Sequence, residues 1–180
     1  AKKLLEESGW TDTDGDGYVD KDGQKLSINW LTYPTRLEQP KLAEYAQATL
    51  KDIGIDVQVN NTPDHRTFAE NGDFDVYVSS VTTAPTGDPE YFFTSTVTGS
   101  KNYGNYQNEE VTKLTDQLHQ TFDKDERGKL AIELQQDILD DDAYFFVSHL
   151  NMGIVTKSNI KGMAAHPCDY YEITAELDVE

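Results

Sequence analysis

Apolar positions along this chain recur in two periods, and the alternation between them predicts a layered fold. Residues Lys2 to Ser8 carry Leu4 and Leu5 among charges and stop at Gly9, the last turns of a helix closed by a glycine. After a turn-rich acidic loop from Trp10 to Gln24, the pattern switches to period two. Leu26, Ile28 and Trp30 then lie on one face of a half-buried strand, Lys25 to Tyr33, that Pro34 closes. Leu42, Tyr45, Ala46, Thr49, Leu50 and Ile53 follow helical spacing as far as Gly54, and Ile55 to Asn60 predicts the next strand. Thr62-Pro63 has the form of an N-cap and first-turn pair opening a short helix through Phe68, which Gly72 stops. Phe74 to Val81, rich in β-branched and aromatic residues, predicts a third strand.

The second half is mainly helical in period. Beyond a loop at Thr82 to Asp88, the pair Asp88-Pro89 predicts a short helix through Phe93, and Gly99 to Gln107 is a glycine and asparagine loop. Val111, Leu114, Leu118 and Phe122 form one amphipathic stripe, and Leu130, Ala131, Leu134, Ile138 and Leu139 form another. Asp123-x-x-Glu126 between them has the form of a capping box. Tyr144 to Leu150 and Gly153 to Thr156 read as paired strands, and the tail from Asn159 as loop and edge strand. Strands alternating with helices predict an α/β fold. The 180 residues hold no repeat or low-complexity tract and suit a single domain over 1–180.

Charge narrows the partners. There are 33 acidic and 15 basic side chains, a formal net charge of −18, so phosphate backbones and anionic membranes repel the chain and nucleic acid is excluded. The single cysteine, Cys168, rules out an intramolecular disulfide and a four-cysteine zinc site. The longest wholly apolar run, Ala143 to Val147, is far shorter than the roughly 20 residues needed to cross a bilayer. Ala1-Lys2-Lys3 leads straight into a helical pattern, so the chain is expected to be a piece of something longer, with any targeting segment upstream.

Catalytic signatures are absent: there is no Gly-x-Ser-x-Gly elbow, no His-Glu-x-x-His helix and no phosphate-cradling glycine loop, so an enzyme is not expected. The run Asp12-Thr-Asp14-Gly-Asp16-Gly-Tyr18-Val-Asp20 matches the first nine positions of a calcium loop, with carboxylates from Asp12, Asp14, Asp16 and Asp20 and a backbone carbonyl from Tyr18. The twelfth position is Gly23, so the bidentate acid is missing and the expected site is weak; a solvated Asp/Gly turn is the alternative. Of the four histidines, His65 and His119 fall on helices and His149 ends an apolar strand. His166-Pro-Cys168 is an N/S pair suited to nickel, copper or zinc, but two ligands do not complete a site. Tyr33, Tyr103 and Tyr106 fall in predicted loops, the kind of position from which open α/β sheets grip ligands.

Taken in order, these segments resemble the C-terminal lobe of the peptide/nickel-binding family, family 5 of the extracytoplasmic solute-binding proteins of ABC importers. The resemblance runs nearly end to end. It is carried by Ala1-Lys-Lys-Leu-Leu-Glu-Glu-Ser-Gly-Trp10, the Asp-Gly-Asp-Gly turn, Leu42-Ala-Glu-Tyr with Leu50-Lys-Asp-Ile-Gly-Ile-Asp56, and Phe74-Asp-Val-Tyr. Asp88-Pro, Asn105-Tyr-Gln-Asn-Glu-Glu-Val111 and Asp125-Glu-Arg127 complete it. It implies an α/β fold, one lobe of a class II periplasmic-binding-protein-like architecture with a mixed sheet flanked by helices. It also implies a missing N-terminal lobe, ABC permease subunits as partners, no required cofactor, no catalysis, and a periplasmic or lipid-anchored address outside the cell membrane.

For the ligand, the resemblance implies a peptide or a nickel chelate. Oligopeptide binders of the family carry a Trp near the start of the 81–89 loop and, four residues before its proline, an Asp that anchors the ligand's amine. Thr82 and Pro85 stand there instead, and the run Ala84-Pro85-Thr86-Gly87-Asp88-Pro89 looks closer to the nickel or metallophore branch. With a chelate, Arg36 would meet its carboxylates and His149 or His166 would complete coordination. The alternative from a different class is a calcium-stabilised extracellular interaction module.

Overall fold

The first half of the chain is organised around β3, Ser27–Thr32, which is paired on both sides. A computed structural model describes residues 1–151, 153–165 and 173–180. His166 and Cys168 lie outside them. The described chain divides into two units, Ala1–Ser80 and Val81–Glu180.

In the first unit β3 runs parallel to β4, Asp56–Asn61, in the register Ser27↔Asp56 to Thr32↔Asn61, and parallel to β5, Val76–Tyr77, on its other edge. Leu26, Ile28 and Trp30 share a core with Ile55 and Val57, as their alternation predicts. A central strand is covered on its other face too, which buries Leu31, while Thr32 is buried on the Trp30 face. Helix α2, Glu38–Lys51, covers the sheet through Ala43, Ala46 and Leu50. The predicted stripe is corrected at Tyr45, which is 71% exposed, because two residues carry it about 200° around the helix from Ala43.

Local chemistry sets the connections. The loop expected from Trp10 to Gln24 contains a hairpin, β1 Asp20–Lys21 with β2 Gln24–Lys25, whose Asp22-Gly23 turn has left-handed φ of 53° and 76°, the requirement of a tight two-residue turn. Helix α1, Lys2–Glu7, lays Leu5 against the sheet core. Helix α3, His65–Asn71, starts two residues later than Thr62-Pro63 predicts, although Thr62 Oγ1 accepts the Asp64 amide at 3.2 Å as an N-cap hydroxyl does. The third strand is two residues long, not eight, because only Val76 and Tyr77 find register with β3. Asp75 fixes that register by accepting the Asn29 amide at 2.7 Å while its own amide donates to the Asn29 carbonyl.

The second unit is built on helices. Helix α4, Glu90–Phe92, continues into a π-helical turn, Phe93–Val97. Gly99 follows it where any Cβ would collide with the Thr94 carbonyl oxygen. Helices α5, Glu109–Gln120, and α6, Lys124–Asp140, bury Val111, Leu114, Leu118, Leu130, Ala131, Leu134 and Ile138 with Phe92, Phe93 and Val97. Asn108 and Asp123 cap them through side-chain oxygens, as the capping signature at Asp123 predicts. Phe122 leaves the expected stripe and is 91% exposed, because the chain turns extended at Thr121 to reach the next cap; Leu139 also faces outward.

The strands expected at 144–150 and 153–156 are absent among the described residues. Aromatic and β-branched residues signal a pleated surface only where a neighbouring strand receives them, and Phe145 and Val155 stand 86% and 97% exposed. The described tail instead forms a short ribbon, β6 Ile160–Lys161 with β7 Asp178–Val179.

Candidate functional site

The order β4-β3-β5 creates a switch point. The chain leaves β3 through α2 toward β4 and returns through α3 to β5 on the far side, so β3 and β5 are neighbours whose continuations part. Ligands of open α/β sheets bind at the carboxyl ends of such strands. Tyr33 follows β3 directly and is buried, and its hydroxyl accepts the Ser80 amide at 3.1 Å beyond β5. Ser80 Oγ accepts from Gln39 Nε2 at 2.8 Å and donates to Glu38 at 3.4 Å.

An aromatic layer completes this edge. The Tyr33 ring stacks on His65 with centroids 4.1 Å apart, and His65 Nδ1 lies 2.7 Å from the Tyr77 hydroxyl. Burial, with a smaller push from Arg66, lowers the His65 pKa and favours the neutral imidazole. Thr32 Oγ1 and Gln39 Oε1 are buried with no hydrogen-bond partner among the described residues. Such an edge can stack on and hydrogen-bond a polar ligand. Sequence reasoning placed Tyr33 here but missed His65, Gln39, Tyr77 and Ser80, which the parallel crossovers bring together. Arg36 lies exposed in the turn before α2, with no side-chain partner among the described residues.

The other predicted contacts belong to the second unit. Ala84, Pro85 and Thr86 form a tight turn closed by the Gly87 amide on the Ala84 carbonyl at 3.0 Å. Asp88 accepts the Glu90 amide and a two-pronged contact from Arg127, which holds its carboxyl below the usual range. Tyr103 is half-buried and His149 exposed. Tyr106 donates its hydroxyl to Asp141 at 2.5 Å, and burial together with that carboxylate pushes its pKa up to about 12. It ties the loop before α5 to the end of α6.

At the acidic loop, Asp12 accepts the Gly15 and Gly17 amides, and carboxylate oxygens of Asp12, Asp14 and Asp20 lie within 4.8 Å of one another. Asp16 is drawn away to Lys25 at 2.5 Å, which lowers its pKa, and the Tyr18 amide donates to it. Gly23 is a turn residue of the hairpin. A shallow groove of about 320 Å³, lined by Leu4, Leu5, Trp10, Ile53 and Ile55, sits at the amino end of β4, away from the switch point.

Comparison with known proteins agrees with this architecture. The family described as bacterial extracellular solute-binding proteins, family 5 Middle, matches residues 1–104. The oligopeptide-binding protein AppA of Bacillus subtilis is 32% identical over 180 residues, 96% of this chain and 33% of that protein. Its structure in complex with a nonapeptide superposes with a TM-score of 0.77 at 30% identity, covering 92% of this chain and 34% of that one. NikA from Staphylococcus aureus, solved in complex with Ni(L-His)2, gives a TM-score of 0.65 at 28% identity over 75% of this chain and 28% of that one. The chain spans about a third of the length of the curated relatives it matches. The observed parallel sheet with flanking helices is the α/β architecture of these neighbours.

Proposed function

Because the chain belongs to the bacterial extracellular solute-binding proteins of family 5, we propose that residues 1–180 form the C-terminal lobe of a longer two-lobed protein that captures a small ligand outside the cytoplasmic membrane and delivers it to the permease of an ABC importer. The carrying observation is the switch-point edge, where Tyr33, His65, Tyr77 and Ser80 converge beside two buried polar atoms without partners among the described residues. Stacking rings and unspent hydrogen-bonding groups suit an oligopeptide, and identity to an oligopeptide binder along nearly the whole chain supports that ligand. Tyr33 and Arg36 are the contacts proposed within the first unit; within the second, taken by itself, they are the Ala84-Pro85-Thr86 turn and Tyr103, with Tyr106 tying its own loop to Asp141.

One observation favours a second reading. Asp88 is the sole acid of the 81–88 loop, and Arg127 already engages it, so that loop has no carboxylate to meet a free peptide amine. A nickel chelate needs no such anchor; Arg36 would meet its carboxylates, and His149 or His166 would coordinate the metal. In either reading no catalytic step is assigned, and the address is periplasmic or lipid-anchored. The exposed Phe145, Phe146, Val147, Leu150, Ile154 and Val155 suit a surface covered by the remainder of the two-lobed protein. Asp12, Asp14 and Asp20 would hold calcium weakly and stiffen their loop, which leaves the transport reading intact.

Titration calorimetry on the full-length protein tests this, with a random nonapeptide pool and Ni(II) plus two equivalents of L-histidine as probes. One probe should bind, and Tyr33→Ala should weaken it at least tenfold, about 1.4 kcal/mol. Binding unaffected by Tyr33→Ala contradicts the switch-point assignment.

A further inference from the structure

Arg127 stands in the first turns of α6, yet its five donors all serve other elements. Nε and Nη2 grip the two Asp88 carboxylate oxygens at 3.0 and 2.6 Å, and Nη2 also reaches Glu90 Oε2 at 2.8 Å. Nη1 donates to the carbonyls of Leu118 and Thr121, at 2.7 and 2.6 Å, at the end of α5, where the Leu118 carbonyl also accepts the Thr121 amide. The guanidinium is only 14% exposed, and its planar fork is the one side-chain shape that can meet a carboxylate bidentately while capping a helix end. Glu90 is shared with His119 Nδ1 at 2.6 Å, so the first turn of α4 is held from two sides.

The loop 82–88 ends at this clasp. Its turn, Ala84 to Gly87, is closed by one backbone hydrogen bond, and the next residue is Asp88, whose Oδ1 accepts both the Glu90 amide and Arg127 Nη2. Where the turn points in the second unit therefore depends on where Asp88 is held.

We propose that Arg127 is the positioning residue of the 82–88 loop: its clasp on Asp88 and Glu90, braced on the end of α5, fixes the orientation in which Ala84, Pro85 and Thr86 are presented to ligand. The inference rests on the solute-binding reading above and adds the group that sets the loop's geometry without touching ligand. It also assigns Asp88 to loop anchoring as well as to the start of α4.

Asp88→Asn isolates the clasp, because an asparagine oxygen still accepts the Glu90 amide and Arg127 keeps its helix-end carbonyls. Arg127→Lys is the second variant, retaining charge but not the fork. In the full-length protein both should exchange the amide hydrogens of Thr83, Ala84 and Thr86 to Asp88 about tenfold faster, while α5 and α6 keep their protection. Affinity for whichever of the nonapeptide pool or Ni(II)/L-histidine the wild type binds should fall about tenfold. The double variant should lose little more than either single one. Unchanged loop exchange in both variants overturns the clasp, and loosened loops with wild-type affinity overturn its role in ligand presentation. A wild-type protein that takes up neither probe defeats the solute-binding reading, and the exchange result then still decides the clasp.

Discussion

The sheet-centred unit and the helix-centred unit treat their polar groups in opposite ways. At the carboxyl edge of β3 and β5, Thr32 and Gln39 keep buried oxygens without partners among the described residues, and His65, its pKa lowered by burial, lies between two tyrosines. Around the 82–88 loop each carboxylate is matched: Asp88 and Glu90 by Arg127, Asp141 by Tyr106 and Asn108. On the proposed reading the first unit spends this hydrogen-bonding capacity on a ligand, whereas the second uses its own to hold loops in place. A binding lobe needs both, since contacts lose value if the segments that present them are free to drift.

The contrast in architecture can be broken most severely in the cores. Leu31, on the sheet, and Leu134, on α6, are both fully buried. Leu→Ala at either is expected to cost about 2–5 kcal/mol. Hydrogen exchange should show the loss concentrated in β3 and β4 for Leu31→Ala and in α5 and α6 for Leu134→Ala; the reverse pattern contradicts the division into two units.

A smaller effect sharpens the electrostatic difference. Tyr106 carries a pKa raised to about 12 in the folded chain, against an ordinary value near 10, so folding favours its protonated form. Its contribution is complete below pH ~10 and is lost as pH rises toward 12. Tyr106→Phe should lower stability near neutral pH by about 1 kcal/mol and flatten the alkaline limb of the profile. For Asp88 and Glu90, whose pKa values Arg127 lowers, stability is present above about pH 4 and lost as pH falls through their folded values. Both dependences should map to the second unit by hydrogen exchange.

The smallest predicted change is a gain. Gly128 sits inside α6 with open space where a Cβ would go and without a positive φ. Gly128→Ala should stabilise the second unit by about 0.5–1 kcal/mol without altering ligand affinity, read from denaturant midpoints.

How much of this was legible in the sequence depended on how local each signal is. α2, α5 and α6 are written in periodicity and in caps such as Asp123, all within a few residues of where they act. Pairing is different: Tyr144 to Leu150 carries strand-forming residues, but a strand exists only where another accepts it, and none does among the described residues. The site divides the same way. Tyr33 was readable as an aromatic beyond a strand end, whereas His65 takes its meaning from stacking on a residue 32 positions away, visible only once β4 has carried the chain back. Asp88 was readable as a helix-start residue, but its partner Arg127 lies 39 residues along and is written in no local pattern.

The central claim, capture of a solute by the full two-lobed protein, is tested most directly by native mass spectrometry with metal analysis of that protein purified without refolding. The account predicts a protein carrying added mass: a ladder of amino-acid spacings for a peptide carrier, or one small nickel-containing adduct for a chelate carrier. A bare protein mass, unchanged after addition of the nonapeptide pool or of Ni(II) with L-histidine, would contradict it.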